Sequence, residues 1–264
     1  MKLGKYILGL ALIAVGLTSC DQDNVGAIYE PTQANITFMG AEQSTLTKDF
    51  NITVPVALSR AIKDGDYTAN VTLGEGAPAN VTLKSNQVTF PAGEGIAYAY
   101  VEFKDMMPGE VYTCNLNLSA ADAGTANTDF GEQITTTAVS VQCDFDWIEL
   151  GNGFYSSPDF WEEEFDVPVI QAKGTNIYRM IGLFQSGYDI QFTINADNTV
   201  TVPAQAAWVH SSYGKCWLVG DANDTADGYA GTYDPATKKV TFILYHYVPG
   251  LGGFGTFVDT LTMP

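Results

Sequence analysis

Basic residues are scarce in this chain. Lysine and arginine together number 12 against 30 aspartates and glutamates in 264 residues, for a formal charge of −18. So acidic a surface repels phosphate backbones and anionic lipid headgroups, which argues against nucleic acid as a partner. There are only two histidines, His210 and His246. No serine sits in a Gly-x-Ser-x-Gly elbow and no histidine–acid pairing is legible, so nucleophilic catalysis finds no support. The four cysteines include no Cys-x-x-Cys and no Cys/His spacing suited to zinc. Beyond residue 20 no stretch keeps a helical period, and no apolar run is long enough to cross a bilayer as a helix.

What is present begins at the amino terminus. Met1 to Lys5 is a short basic start, and Tyr6 to Leu17 is apolar. That run is too short for a membrane-spanning helix but suits the core of a secretory signal. Leu17-Thr18-Ser19-Cys20 follows, then Asp21-Gln22-Asp23-Asn24. The first four resemble the lipobox of bacterial lipoproteins, and the acidic stretch resembles the surface-export tag of Bacteroidota outer-membrane lipoproteins. The resemblance implies a signal peptide over 1–19, cleavage before Cys20, lipidation of that cysteine and a lipidated tether over 20–34. It also implies a lipid anchor in the outer membrane, with the protein exposed at the cell surface. Several acyl chains make a stable anchor, at ~0.8 kcal/mol per buried methylene. Loss of Lys2 and Lys5 with the signal takes the formal charge from −18 to −20.

The rest of the chain alternates apolar and polar residues between turn signals, and aromatic and β-branched residues are plentiful, as strands require. The expected fold is all-β: an Ig-like β-sandwich over 35–143, then a second antiparallel β domain over 147–264, a meander, a sandwich or barrel-like. Pro55, inside the run Phe50 to Leu58, marks an edge strand or a bulge. Val54-Pro-Val-Ala-Leu-Ser-Arg60, Val88-Thr-Phe-Pro-Ala-Gly-Glu94, Ile96 to Phe103 and Leu116-Asn-Leu-Ser119 resemble the Calx-beta Ig-like module over most of 35–143. Family members that bind calcium use acidic residues at loop ends, and Asp105 and Glu110 stand near two such places. The family's Asp-Tyr ahead of the Val-Thr-Phe strand is absent, with Asn80-Val81 about there.

Cys114 alternates with Leu116 and Leu118, and Cys143 with Val139 and Val141, so both point into the sandwich. They are expected within bridging distance, as a disulfide or as two buried thiols, while Cys216 has no partner.

In the second domain, Ser157-Pro158 predicts an N-cap and one helical turn over 158–163. Asp221, Asn223, Asp224 and Asp227 offer hard oxygen ligands at close intervals, which makes calcium a candidate cofactor; an Asx-rich turn accounts for the same residues. Glu162, Glu163, Glu164 and Asp166 are carboxylates of the type a glycoside hydrolase needs, or a solvated acidic run. The four tryptophans, Trp147, Trp161, Trp208 and Trp217, all fall in this domain. Trp161 and Trp208, in loop-like or polar contexts, are the candidates for stacking on a sugar face, with Glu162 and His210 as hydroxyl partners; Trp217 is assigned to the core. The expected function is non-catalytic capture of a ligand, such as a glycan, by a surface lipoprotein. A structural or adhesion subunit that binds other surface proteins, or an unrecognised glycoside hydrolase, are the alternatives.

Overall fold

The computed structural model describes residues 34–123, 133–222 and 230–264. These hold nineteen strands and one four-residue helix. They divide into two compact units: one of the described residues up to Gln43 with Thr53–Glu102 and Cys114–Val139, the other of Ser44–Ile52, Phe103–Thr113 and Ser140–Pro264.

The first nine strands are β1 (Thr37–Phe38), β2 (Glu42–Thr47), β3 (Ile52–Ser59), β4 (Tyr67–Leu73), β5 (Val81–Leu83), β6 (Gln87–Phe90), β7 (Ile96–Phe103), β8 (Val111–Leu118) and β9 (Thr136–Cys143). They form two sheets, ordered β1-β3-β7-β5 and β2-β9-β8-β4-β6. Every second residue is buried: Val54, Val56 and Leu58 on β3, Ala97, Ala99, Val101 and Phe103 on β7, Val139, Val141 and Cys143 on β9. One buried face per strand is what a two-layer sandwich requires. Pro55 stands beyond the reach of β1, which pairs only Ser59 and Leu58 of its neighbour, so its missing N–H breaks no ladder.

Two of the motif stretches meet at Arg60. Its side chain is buried and donates from Nε to Glu94 O at 2.7 Å, from Nη2 to Pro91 O at 2.7 Å and Lys63 O at 3.3 Å, and from Nη1 to Gly65 O at 3.0 Å. The guanidinium also lies over the Phe90 ring, 5.4 Å from its centroid. A planar five-donor fork satisfies carbonyls of two loops at once, which an ammonium cannot do.

The disulfide expectation is corrected. Cys114 and Cys143 are both buried free thiols, as is Cys216. The reason is register. Cys143 N donates to Glu110 O at 3.0 Å, and Leu118 N to Thr135 O at 2.8 Å. That pairing sets Cys143 opposite Glu110 and Cys114 opposite Val139, four residues along the strand. At about 3.3 Å per residue the offset is roughly 13 Å, beyond the ~7 Å that a bridge spans. Burial pushes the Cys114 thiol up to about 11, so it is inert in the native state. A chain beginning after Cys20 should therefore give three titratable thiols in denaturant even after oxidative export; one thiol would mean that a bridge had formed.

The third sheet comprises β10 (Trp147–Ser157), β11 (Glu163–Ala172), β12 (Ile177–Gln185), β13 (Tyr188–Ile194), β14 (Val200–Thr201), β15 (Gln205–His210), β16 (Gly214–Gly220), β17 (Gly231–Asp234), β18 (Lys239–Val248) and β19 (Gly252–Thr262). Its order is β14-β13-β12-β11-β10-β19-β18-β16-β15, with β17 on β18. The sheet curls until its ends meet, and glutamine side chains join them. Gln191 N donates to Gln205 Oε1 at 2.8 Å, and Gln205 Nε2 donates to Gln191 O at 2.8 Å. Val209 N donates to Gln185 Oε1 at 2.8 Å. A side-chain amide carries the same donor and acceptor as a peptide, so it stands in for ladder bonds and covers edge groups. The fold is all-β, and its second part is barrel-like.

Two strands depart from simple alternation, and one expected turn differs. Gly151 and Gly153 interrupt the alternation of β10; a bulge falls between Glu149 and Gly151, and a Cβ at Gly153 would lie 2.8 Å from Leu261 Cδ1 and Thr262 O. β15 has a bulge between Ala206 and Trp208, which buries the consecutive Ala207 and Trp208 and hides the period of two. Residues 158–161 form a turn, not a helix; Ser157 Oγ accepts from Trp161 N at 3.4 Å.

Candidate functional site

Strand direction gathers four connections, 158–162, 186–187, 211–213 and 249–251, at one end of the barrel. Toward the opposite end the interior is filled by Met180, Ile190, Phe192, Leu218, Val240 and Phe242. At the end with the four connections it is aromatic. Phe160 is the centre: its ring centroid lies 5.3 Å from Trp161, 6.0 Å from Trp208, 4.3 Å from His246, 6.2 Å from Phe254 and 4.6 Å from Phe257. Trp161 meets Trp208 edge to face at 5.2 Å and stacks on Phe184 at 5.4 Å. Trp208 reaches Phe254 at 5.4 Å, and His210 meets Tyr213 at 4.6 Å with the rings tilted by 31°. Offset and edge-to-face rings at these distances each add about 1 kcal/mol beyond area burial.

The cluster opens outward. A cleft of about 310 Å³ is lined by Tyr213, Val248, Leu251, Gly252, Gly253 and Phe254. Tyr213 is 54% exposed. Glycine at 253 is required because a Cβ there would collide with the Tyr245 ring. The cleft wall is therefore a bare backbone with rings on either side, at the lower end of the size range of small-ligand sites.

Trp161, Trp208 and His210 are thus brought together, as expected of a shared site. Trp208 is corrected in its role: it is only 8% exposed, so it supports other rings and presents no open face. His210 is half-buried and its Nδ1 accepts from Ser212 N at 3.0 Å. Glu162, exposed at the end of its turn, has φ of 53°. Glu163, Glu164 and Asp166 are exposed as well, and Glu164 Oε1 accepts from Ser156 Oγ at 2.8 Å; these carboxylates face solvent. Trp217 is corrected too. It is half-exposed on the outer face opposite Tyr247, because Cys216 and Leu218 take the inward positions. Of the calcium candidates, Asp221 Oδ2 accepts from Thr256 Oγ1 at 2.8 Å; Asn223, Asp224 and Asp227 lie outside the described residues, as does Cys20.

Phe160 and Tyr213 belong to the aromatic concentration visible in the sequence of the second domain, whereas Phe184, Phe254 and Phe257 were not singled out from it. The legible signal for Phe254 was the glycine-rich Pro249-Gly-Leu-Gly-Gly-Phe254 between two alternating strands.

Beneath the cluster, Tyr155 donates to Asp259 Oδ2 at 2.5 Å, both fully buried. Burial raises the Asp259 carboxyl, against the lowering effect of the Tyr155 and Ser157 hydroxyls. Burial, and then Asp259, hold the Tyr155 phenol well above its ordinary value. His246 has no exposed surface, and burial takes it down to about 4, so it is neutral at physiological pH.

The fold and this end of the barrel define an all-β protein with an aromatic-lined cleft. No protein-family model matches the chain, and no curated protein matches it in sequence. Solved structures similar to it include a Bacteroides ovatus protein provisionally described as carbohydrate binding, at a TM-score of 0.36 and 10% identity over 86% of this chain and 79% of that one. The apo form of the Calx CBD1 domain is similar at a TM-score of 0.32 and 14% identity, over 42% of this chain and 96% of that one. The calcium-binding domain CBD12 of CALX1.1 is similar at 0.33 and 11%, over 66% and 80%.

Proposed function

We propose that this protein is a lipid-anchored surface lipoprotein that captures a glycan, without catalysis, at the aromatic end of its barrel. Leu17-Thr-Ser-Cys20 behind a short apolar run supports the anchor, and Asp21 to Asn24 supports surface exposure. The observation that carries the capture reading is the cleft between Tyr213 and Phe254, backed by rigid packed rings. A pyranose has an apolar face that stacks on such rings, while its edge hydroxyls take polar partners; the His210 imidazole and the exposed Ser211 and Ser212 stand beside the cleft. The solvent exposure of Glu162, Glu163, Glu164 and Asp166 supports a non-catalytic reading. On a glycan array the wild type should retain a defined subset of sugars, and Tyr213→Ala and Phe254→Ala should each weaken that binding about tenfold or more. No retention by the wild type over a broad array, or retention that both variants keep, would contradict the reading and favour a structural or adhesion subunit.

A further inference from the structure

Resting on the glycan reading, we infer that the sugar this end of the barrel takes carries an acetamido group, received by Trp161, Trp208 and His246. Among the described residues, Trp161 Nε1, Trp208 Nε1 and both ring nitrogens of His246 are buried without a hydrogen-bond partner. A buried unpaired polar group costs about 1–3 kcal/mol, and here three side chains bear that cost around one ring, Phe160. Apolar residues of similar volume would fill the same space without it. Groups left unpaired in a packed core point to a partner that arrives from outside.

The donor and acceptor count selects the partner. Two indoles supply two N–H donors and no acceptor. A neutral imidazole supplies one of each. The ligand must therefore offer an oxygen with two lone pairs and a nearby donor, and be apolar elsewhere to sit among Phe160, Phe184 and Phe257. An acetamido group meets all of this: its carbonyl oxygen accepts from both indoles, its N–H donates to the imidazole, and its methyl packs on the rings. The second imidazole nitrogen then donates to a neighbouring sugar hydroxyl. A carboxylate has the lone pairs but no donor, and needs a cation; Lys215 on the adjoining hairpin is exposed. A lone hydroxyl is too small to engage all three side chains.

The way in is short. Phe254 lines the cleft and its ring also touches Trp208 and Phe160, the ring against which Trp161 and His246 pack. Gly252 and Gly255 flank Phe254 with φ of 143° and 122°, and the backbone there turns at little steric cost. The sugar ring thus rests on Tyr213 in the cleft while its substituent displaces Phe254.

Calorimetry of the full chain with chitobiose and with cellobiose tests this, since the two disaccharides differ in the acetamido groups. Chitobiose is expected to bind about tenfold more tightly, the factor contributed by one net hydrogen bond. Trp208→Phe, which keeps a ring and removes the N–H, and His246→Leu should each bring the two affinities together. Equal affinities in the wild type, or a preference that both variants retain, overturn the acetamido assignment and leave the glycan reading standing. Binding of neither sugar also overturns the acetamido assignment, while the glycan reading itself is decided on the broad array.

Discussion

Replacing Arg60 by alanine is expected to lower the melting temperature of the unit that contains it by roughly 12–24 °C, for a loss of about 3 kcal/mol in a domain of this size. All four carbonyls that the guanidinium satisfies, those of Lys63, Gly65, Pro91 and Glu94, belong to loops flanking the strands around it. Without Arg60 each loses a donor, although Lys63 O still accepts from Gly93 N at 2.8 Å and Pro91 O from Glu94 N at 3.0 Å, and the Phe90 ring loses its cover. Water entering the gap recovers part of the loss, which is why the figure is well below the sum of four hydrogen bonds. Arg60→Lys keeps the charge but not the fork, so it should recover less than half of the stability. Thermal melts of the three proteins decide the matter. An Arg60→Ala variant that melts within about 3 °C of wild type would mean that the loops hold themselves.

The second large effect is a loss of stability on mild acidification. His246 falls to about 4 in the native state through burial, against about 6.5 unfolded. Its folded value is depressed, so below pH 6.5 the unfolded chain takes up a proton that the native barrel refuses. Stability is therefore full above about 6.5 and declines as pH falls to about 4; below that both states are protonated and the decline stops. The difference of about 2.5 units corresponds to about 3 kcal/mol. Asp259 acts in the opposite sense: burial raises its carboxyl, so it favours the native state as pH falls. Comparison with His246→Leu cancels that contribution, because both proteins carry Asp259. Urea unfolding at pH 7 and pH 4.5 should show the wild type losing about 2–3 kcal/mol more than the variant across the interval. Equal losses would mean that His246 is not buried as a neutral ring.

Much of the fold is legible in the sequence because alternation is a local signal. Val54, Val56 and Leu58 announce an inward face, and His246 alternates with Val240, Phe242 and Leu244 and is, like them, completely buried. The motif pieces ending at Arg60 and Glu94 could be recognised as belonging together, but not that one side chain ties them. Bulges and glycines erase the period in β10 and β15, which is why Trp208 reads as lying in a polar context although it is buried in a strand. Cys114 and Cys143 show the same limit: facing inward is local, whereas the four-residue offset between them depends on pairing with the partner strand. The candidate site is the least legible part. Phe160, Phe184 and Phe254 lie far apart in sequence, and only closure of the barrel through Gln185, Gln191 and Gln205 brings its two edges together and the rings into one cluster.

Hydrogen–deuterium exchange of the full chain with and without saturating chitobiose tests the central claim most directly, because it locates the ligand whatever its affinity. Binding at the aromatic end predicts protection confined to the segments around 157–163, 208–214 and 246–255. Protection on the sandwich strands β1–β9, or at the barrel end that bears the 172–177 and 234–239 turns, would contradict it.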